Sequence, residues 1–115
     1  MTIGIDKEEI KKNNSFKNQY KGRFAPTPSG SLHIGSLVTA IASYLDAKKN
    51  NGEWYLRFDD IDSVRVKKGS IESILYCLEN HEFFWDKKEI YQSHQKDKYI
   101  SIKNYLLKKN IIYGC

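Results

Sequence analysis

The chain has 115 residues, of which 40% are hydrophobic, 13% aromatic and 29% charged, a balance too apolar for a disordered tail and too polar for a membrane protein. Its size is that of one domain. Nineteen Lys and Arg against 14 Asp and Glu give a net charge of +5, which favours an anionic partner such as nucleic acid. No apolar run approaches the ~18 residues that span a bilayer, and Met1 to Asn14 lacks the apolar segment of a secretory signal, so a cytoplasmic location is expected. Two cysteines far apart, Cys77 and Cys115, do not make a disulfide framework. Sixteen of the basic residues are Lys and three are Arg: Arg23, Arg57 and Arg65. Where Arg persists against that bias, its planar fork points to a need a flexible ammonium does not meet.

In chain order, residues 1–19 mix Lys, Asn, Glu and Ser and read as a flexible extension. Tyr20 to Ala25 is a strand, ended by Pro26-Thr27-Pro28-Ser29-Gly30, because each proline fixes φ and removes a donor. Leu37, Ala40, Ile41, Tyr44 and Leu45 recur at helical spacing between Ser36 and Lys49, with Asn51-Gly52 as the stop. Trp54 to Phe58 is a second strand leading into the acidic cluster Asp59, Asp60 and Asp62. Ile71, Ile74, Leu75 and Leu78 mark a helix face, with Ser70 as the expected N-cap and Asn80 near the end. A short extended piece at Ile90 and Tyr91 precedes a lysine-rich helix from about Gln95 to Lys109 with Tyr99, Ile102 and Leu106, and Ile111 to Tyr113 reads as a third strand. This alternation predicts an α/β fold, a parallel sheet with crossover helices whose ligands bind beyond the carboxyl ends of the strands. A chain ending at Cys115, directly after a strand with nothing to cover it, is expected to be the N-terminal piece of a longer protein.

Three nucleotide or metal motifs are excluded. Gly30 to Ser36 has Ser36 where a P-loop needs Lys, and neither early strand is followed by Gly-x-Gly-x-x-Gly. Asp60 to Arg65 has Arg65 where a calcium loop needs Gly. What remains is Gly22-Arg23-Phe24-Ala25-Pro26-Thr27-Pro28-Ser29-Gly30-Ser31-Leu32-His33-Ile34-Gly35-Ser36, a strand, a proline turn and a His-x-Gly helix start, followed by Leu56-Arg57-Phe58-Asp59-Asp60-Ile61-Asp62 and then Arg65.

These two linked strings resemble the class I aminoacyl-tRNA synthetases, with His33-Ile34-Gly35-Ser36 in the place of the His-Ile-Gly-His signature and the glutamyl branch as the nearest match. The resemblance spans Gly22 to Cys115 and implies a Rossmann-like catalytic domain of which residues 20–115 form the N-terminal part. Gly35 to Ala40, Ser43-Tyr44-Leu45, Asp60-Ile61-Asp62 and Tyr91-Gln92-Ser93 resemble a shorter subfamily that transfers glutamate to the queuosine of tRNA(Asp). Ordinary glutamyl-tRNA synthetases instead usually carry Arg-Thr-Ala and Asp-Thr-Asp at those landmarks. Asp59 departs from the subfamily, which has Glu there.

The resemblance implies ATP-dependent activation of glutamate, with ATP carrying Mg. It places glutamate on Arg23, Phe24, Ala25, Pro26, Thr27 and Asp59: Arg23 as a bidentate fork on a carboxylate, Asp59 as acceptor for the α-amino group. It places ATP on Pro26, Ser29, Gly30, His33, Gly35 and Ser36, with His33 as the catalytic donor to the phosphates and Gly35 leaving room for the adenosine. Arg65 is expected to buttress the acidic turn rather than touch substrate and Arg57 to be structural, while Asp60 and Asp62 either cap the next helical segment, the favoured reading, or take part in binding. The lysines from Lys96 to Lys109 form a solvated face, and Cys77 is a packed thiol. Cys115 matches the first cysteine of the subfamily's zinc insertion, and one thiol does not satisfy tetrahedral zinc. The expected partners are glutamate, ATP and tRNA(Asp). Two alternatives stand beside this reading: ordinary charging of tRNA(Glu), and a non-catalytic nucleotide- or tRNA-binding module of the same fold. Residues 1–115 alone are expected to be inactive, because the family's Lys-bearing second signature loop is not among them.

Overall fold

The structure, a computed structural model, describes residues 19–115, so residues 1–18 of the expected extension lie outside the described residues. Strand β1 (Lys21–Phe24) is followed by helix α1 (Ile34–Lys49), strand β2 (Glu53–Phe58), helix α2 (Ser70–Asn80), strand β3 (Ile90–Tyr91), a 3-10 turn (Gln92–Gln95) and helix α3 (Lys96–Lys108). The strands lie in the order β1-β2-β3, all parallel, with Arg23 opposite Tyr55 and Arg57 opposite Ile90. Parallel pairing demands a crossover between strands, and α1 and α2 supply them. No helix among the described residues is long and apolar enough to cross a membrane.

Alternation along the strands sorts their side chains by face. Phe24, Trp54, Leu56 and Phe58 are buried and join Ala40 and Ala47 of α1 and Ile74 and Leu78 of α2 in one core, whereas Lys21 and Arg23 are exposed and Glu53, Tyr55 and Arg57 half-buried on the other face. Trp54 is the centre of this core. Its ring stacks on Phe24 at 6.2 Å, meets the edge of Tyr44 at 5.2 Å and tilts against Phe83 at 5.8 Å, while its Nε1–H donates to Ser43 Oγ at 2.9 Å. Helix α1 approaches β1 through small residues: a Cβ on Gly22 would come within 3.2 Å of Ala47 Cβ and of the Ser43 carbonyl. That close approach turns the inner stripe of α1 to Ala40 and Ala47, so Ile41 and Leu45, two of the apolar positions at helical spacing, face outward at 39% and 59% exposure.

All three helices end in the same way. Asn51, Glu82 and Asn110 take positive φ, and in each case the next residue's N–H reaches back to a carbonyl five residues earlier: Gly52 to Ala47 (2.8 Å), Phe83 to Leu78 (3.0 Å) and Ile111 to Leu106 (3.0 Å). Each is a Schellman closure, which satisfies the last carbonyls and often adds an apolar contact. This corrects the expected third strand at Ile111 to Tyr113. Ile111 is consumed by the closure of α3, Tyr113 is 88% exposed, and the third strand is the short Ile90–Tyr91 piece. Two helix starts also differ from expectation. Helix α1 begins at Ile34 because His33 caps it, and Gly69, at φ 81°, is the N-cap of α2, with Ser70 inside the helix and buried.

Glu82 is an exposed non-glycine residue held at φ 60°. Its replacement by glycine is expected to stabilise the fold by about 0.5–1 kcal/mol, because the left-handed conformation costs a Cβ-bearing residue more than it costs glycine. Urea denaturation of Glu82→Gly against the parent reads the gain directly; an unchanged or lower midpoint contradicts it.

Candidate active site

The proline loop leaves the carboxyl end of β1 and is tied down along its length. Asp59 N–H donates to Pro26 O at 3.0 Å, Lys67 N–H to Pro28 O at 3.0 Å, and the hydroxyls of Ser31 and Ser73 lie 3.0 Å apart. The loop is thereby fixed to both the end of β2 and the start of α2. Between it and the first turns of α1 lies a cavity of about 330 Å³. Phe24, Ala25, Pro26, Thr27, Ser29, Gly30, His33 and Ser36, all selected from the sequence, line it, together with Ser31, Leu32 and Thr39, which were not. Thr39 follows Ser36 by three residues and so shares its helix face, a spacing that would have found it.

His33 caps α1 with its own ring. Nδ1 accepts the N–H groups of Gly35 at 3.1 Å and Ser36 at 3.3 Å, and Nε2 lies 3.2 Å from Ser36 Oγ. An accepting Nδ1 carries no proton, so in the neutral ring Nε2–H is the donor to Ser36. The ring therefore faces its own helix, in contrast to the expected donor aimed at a phosphate. Gly35 serves this arrangement as well, since a Cβ there would stand 3.0 Å from His33 Cε1 and 3.1 Å from Nδ1. Its missing side chain makes room for the imidazole, where the sequence suggested room for adenosine.

The expected glutamate residues do not converge on one cavity. Arg23 projects from the opposite sheet face and lines a separate hollow of about 510 Å³ with Lys21, Gly22, Tyr55 and Ile90, while Phe24 to Thr27 line the loop cavity. Arg23 and Phe24 are consecutive strand residues, so the pleat sends them to opposite sides. Asp59 pairs with Arg57, whose Nε donates to Oδ1 at 2.7 Å, and not with Arg23. That hydrogen bond, against the opposing effect of burial, raises the Arg57 pKa above its ordinary value.

The acidic turn is organised by its other two carboxylates. Asp62 accepts the Val64 N–H at 3.2 Å and meets Arg65 at 3.4 Å, so the pair holds the turn as expected. Asp60 caps something more distant than the next segment: it accepts both the N–H (2.7 Å) and the hydroxyl (2.6 Å) of Ser93, at the start of the Gln92–Gln95 turn. Burial pushes the Asp60 pKa up, but the two Ser93 donors, its own N–H and the nearby His94 together hold it below the usual carboxylate value.

A carboxylate with a depressed folded pKa contributes stability that is present above its unfolded pKa near 4 and is lost as pH falls through the folded value. Ser93→Ala is therefore expected to cost about 1–2 kcal/mol at pH 7, the value of a hydrogen bond to a charged group, and distinctly less at pH 2. Denaturation at the two pH values checks this; an equal cost at both would remove the Asp60 charge from the explanation.

Cys77 is partly buried with its Sγ 3.8 Å from His81 Nδ1, and Cys115 is exposed. Among the described residues no three His, Cys, Asp or Glu side chains come together, so the residues around Cys115 do not fit a zinc ion. No side chain of α3 is buried, which leaves its lysines on solvated faces.

A family profile described as tRNA synthetases class I (E and Q), catalytic domain, matches residues 19–115. The glutamyl-Q tRNA(Asp) synthetase of Pseudomonas fluorescens is 48% identical over 101 residues, covering 88% of this chain and 34% of its own length. That of Idiomarina loihiensis is 48% identical over 96 residues, covering 84% of this chain and 34% of its own. The chain thus spans about a third of the length of the curated relatives it matches. A glutamate tRNA ligase from Elizabethkingia meningosepticum, solved in complex with its amino acid, superposes with a TM-score of 0.76 at 35% identity, over 79% of this chain and 20% of that one. A parallel sheet, a proline loop running into a His-capped helix and a profile match over residues 19–115 agree, and the chain belongs to the class I tRNA synthetases (E and Q), within their catalytic domain.

Proposed function

We propose that the protein joins glutamate to ATP as glutamyl-adenylate and transfers the glutamyl group to the queuosine of tRNA(Asp). The observation that carries this reading is the 48% identity, across most of the chain, to proteins named for that transfer. In the first step a carboxylate oxygen of glutamate attacks the α-phosphorus of ATP and pyrophosphate leaves, so the site must hold a polyanion while its charge redistributes. The cavity against the first turn of α1 suits the phosphates through the positive end of the helix dipole, and the Gly35 and Ser36 N–H groups, held by the His33 ring, would reach a phosphate only if that ring turned away. His33 and Ser36 line this part together with Ser29 and Gly30, and Gly35 serves it by admitting the His33 ring. ATP would bring Mg with it; no described residue is assigned to that ion.

Glutamate is assigned to the carboxyl ends of β1 and β2. Arg23 offers the guanidinium fork to a carboxylate, and Asp59, held by Arg57, offers an acceptor for the α-amino group. On this assignment the substrate crosses the end of β1, from the Arg23 side of the sheet to the loop cavity. The shorter subfamily's landmarks favour tRNA(Asp) as acceptor. The structural likeness to a glutamate tRNA ligase keeps ordinary charging of tRNA(Glu) as the second reading.

The test uses the protein expressed from its complete reading frame. Glutamate-dependent ATP–pyrophosphate exchange is expected without any tRNA, and exchange that requires tRNA(Glu) moves the protein to the second reading. Arg23→Lys is expected to lower kcat/KM for glutamate by about 10- to 100-fold, with a much smaller effect on ATP, since a point charge does not replace two parallel hydrogen bonds. Unchanged glutamate kinetics would remove Arg23 from the site.

A further inference from the structure

Three carboxylates follow the carboxyl end of β2, and their partners set them apart. Asp60 is taken up by the N–H and hydroxyl of Ser93, and Asp62 by the Val64 N–H and Arg65. Asp59 is held at both ends of the residue. Its own N–H donates to Pro26 O at 3.0 Å, which fixes its backbone to the proline loop. Its Oδ1 accepts Arg57 Nε–H at 2.7 Å, within the short range of a charge-assisted bond.

An exposed pair of flexible side chains contributes little. This pair is different: the side chains are only 23% and 30% exposed, Asp is short, and the Arg57 backbone is paired with Ile90 of β3. Nε is also the guanidinium donor nearest the backbone, so the bond fixes the Asp59 carboxylate with few free torsions between it and β2. A carboxylate has about four lone-pair sites, and one bond leaves acceptor capacity for a ligand. On the same face of the sheet, Arg23 is exposed and lies opposite Tyr55, two residues before Arg57.

Resting on the glutamate reading proposed above, we infer that Arg57 is a positioning residue for the substrate. It orients the Asp59 carboxylate toward the α-amino group and, by pairing with Asp59 itself, leaves the Arg23 fork to a substrate carboxylate. This role goes beyond the structural one expected for Arg57 from the sequence.

The complete protein is assayed by ATP–pyrophosphate exchange with glutamate, using glutarate, which lacks the α-amino group, as a competitive inhibitor. Arg57→Met keeps the side-chain length but removes the donor. It is expected to raise the KM for glutamate about tenfold or more, while the KM for ATP and the inhibition constant of glutarate stay within about twofold. Arg57→Gln places an amide N–H donor where Nε stands, and should recover much of the loss. The parent protein alone gives a second readout, because its Arg57 Nε–H resonance should shift when glutamate binds and not when glutarate does. Met and Gln variants impaired alike, ATP and glutarate affected as much as glutamate, or an Arg57 resonance indifferent to glutamate overturn the positioning role and leave the glutamate reading standing. A parent protein without glutamate-dependent exchange overturns the glutamate reading and this role with it.

Discussion

Gly52→Ala is expected to lower stability by about 2–4 kcal/mol, through a clash that no rotamer change relieves. The new Cβ would sit 2.2 Å from the Tyr20 carbonyl oxygen and 2.8 Å from its carbon, and both of these are backbone atoms. That carbonyl accepts the Glu53 N–H at 2.9 Å, the first link between β1 and β2, while Gly52 N–H closes α1 on Ala47 O at 2.8 Å. Moving residue 52 outward gives up one of these bonds, and moving Tyr20 gives up the other, so overpacking and a lost hydrogen bond combine. Gly114→Ala is the matched control, because a Cβ there meets nothing within 4 Å. Chemical denaturation of the pair should separate them clearly; coincident midpoints would show that the β1–α1 junction yields more easily than its geometry suggests.

Trp54→Ala is expected to cost about 3–5 kcal/mol, the usual range for emptying a large aromatic site in a core. The indole is fully buried and touches Phe24, Tyr44 and Phe83, which belong to β1, α1 and the segment after α2. Its removal loosens three elements at once, and against a typical stability of about 5–15 kcal/mol the loss leaves little margin. Trp54→Phe should cost less. It retains much of the ring but leaves Ser43 Oγ without its donor. Thermal unfolding followed by circular dichroism ranks the three proteins, and equal melting temperatures for the alanine and phenylalanine variants would contradict the packing argument.

Much of the fold was legible in the sequence because it rests on local signals. Prolines at 26 and 28 break a strand, Asn51-Gly52 stops a helix, and Ile74 and Leu78 repeat at one helical turn. Ile111 to Tyr113 misled because an apolar residue after Asn110 serves a helix closure as well as it serves a strand. At the site, the loop residues could be read from one continuous string, and eight of them share a cavity. The partners of the acidic cluster could not. Asp59 lies two residues from Arg57, yet only the strand geometry selects that Arg over Arg23, and Asp60 finds Ser93 across a separation of 33 residues. The direction of the His33 ring could not be read for a similar reason: its motif is local, but the direction of an imidazole depends on χ angles that spacing does not encode.

The two crossovers have a kinetic consequence. Asp86 bonds Trp54 across 32 residues, and Asp60 bonds Ser93 across 33, so the contacts that fasten the third strand region to β2 are uniformly distant along the chain. Pairing β1 with β2 likewise waits for the chain to travel through α1 and return. Loop closure must precede every strand–strand contact, and a chain of high contact order folds slowly for its size. The helices, closed by their own Schellman bonds, can form first and bring Ala40, Ala47, Ile74 and Leu78 to a collapsing Trp54. The short β3, with two paired residues and contacts 32 and 33 residues away in sequence, is the strand whose docking depends most on those closures.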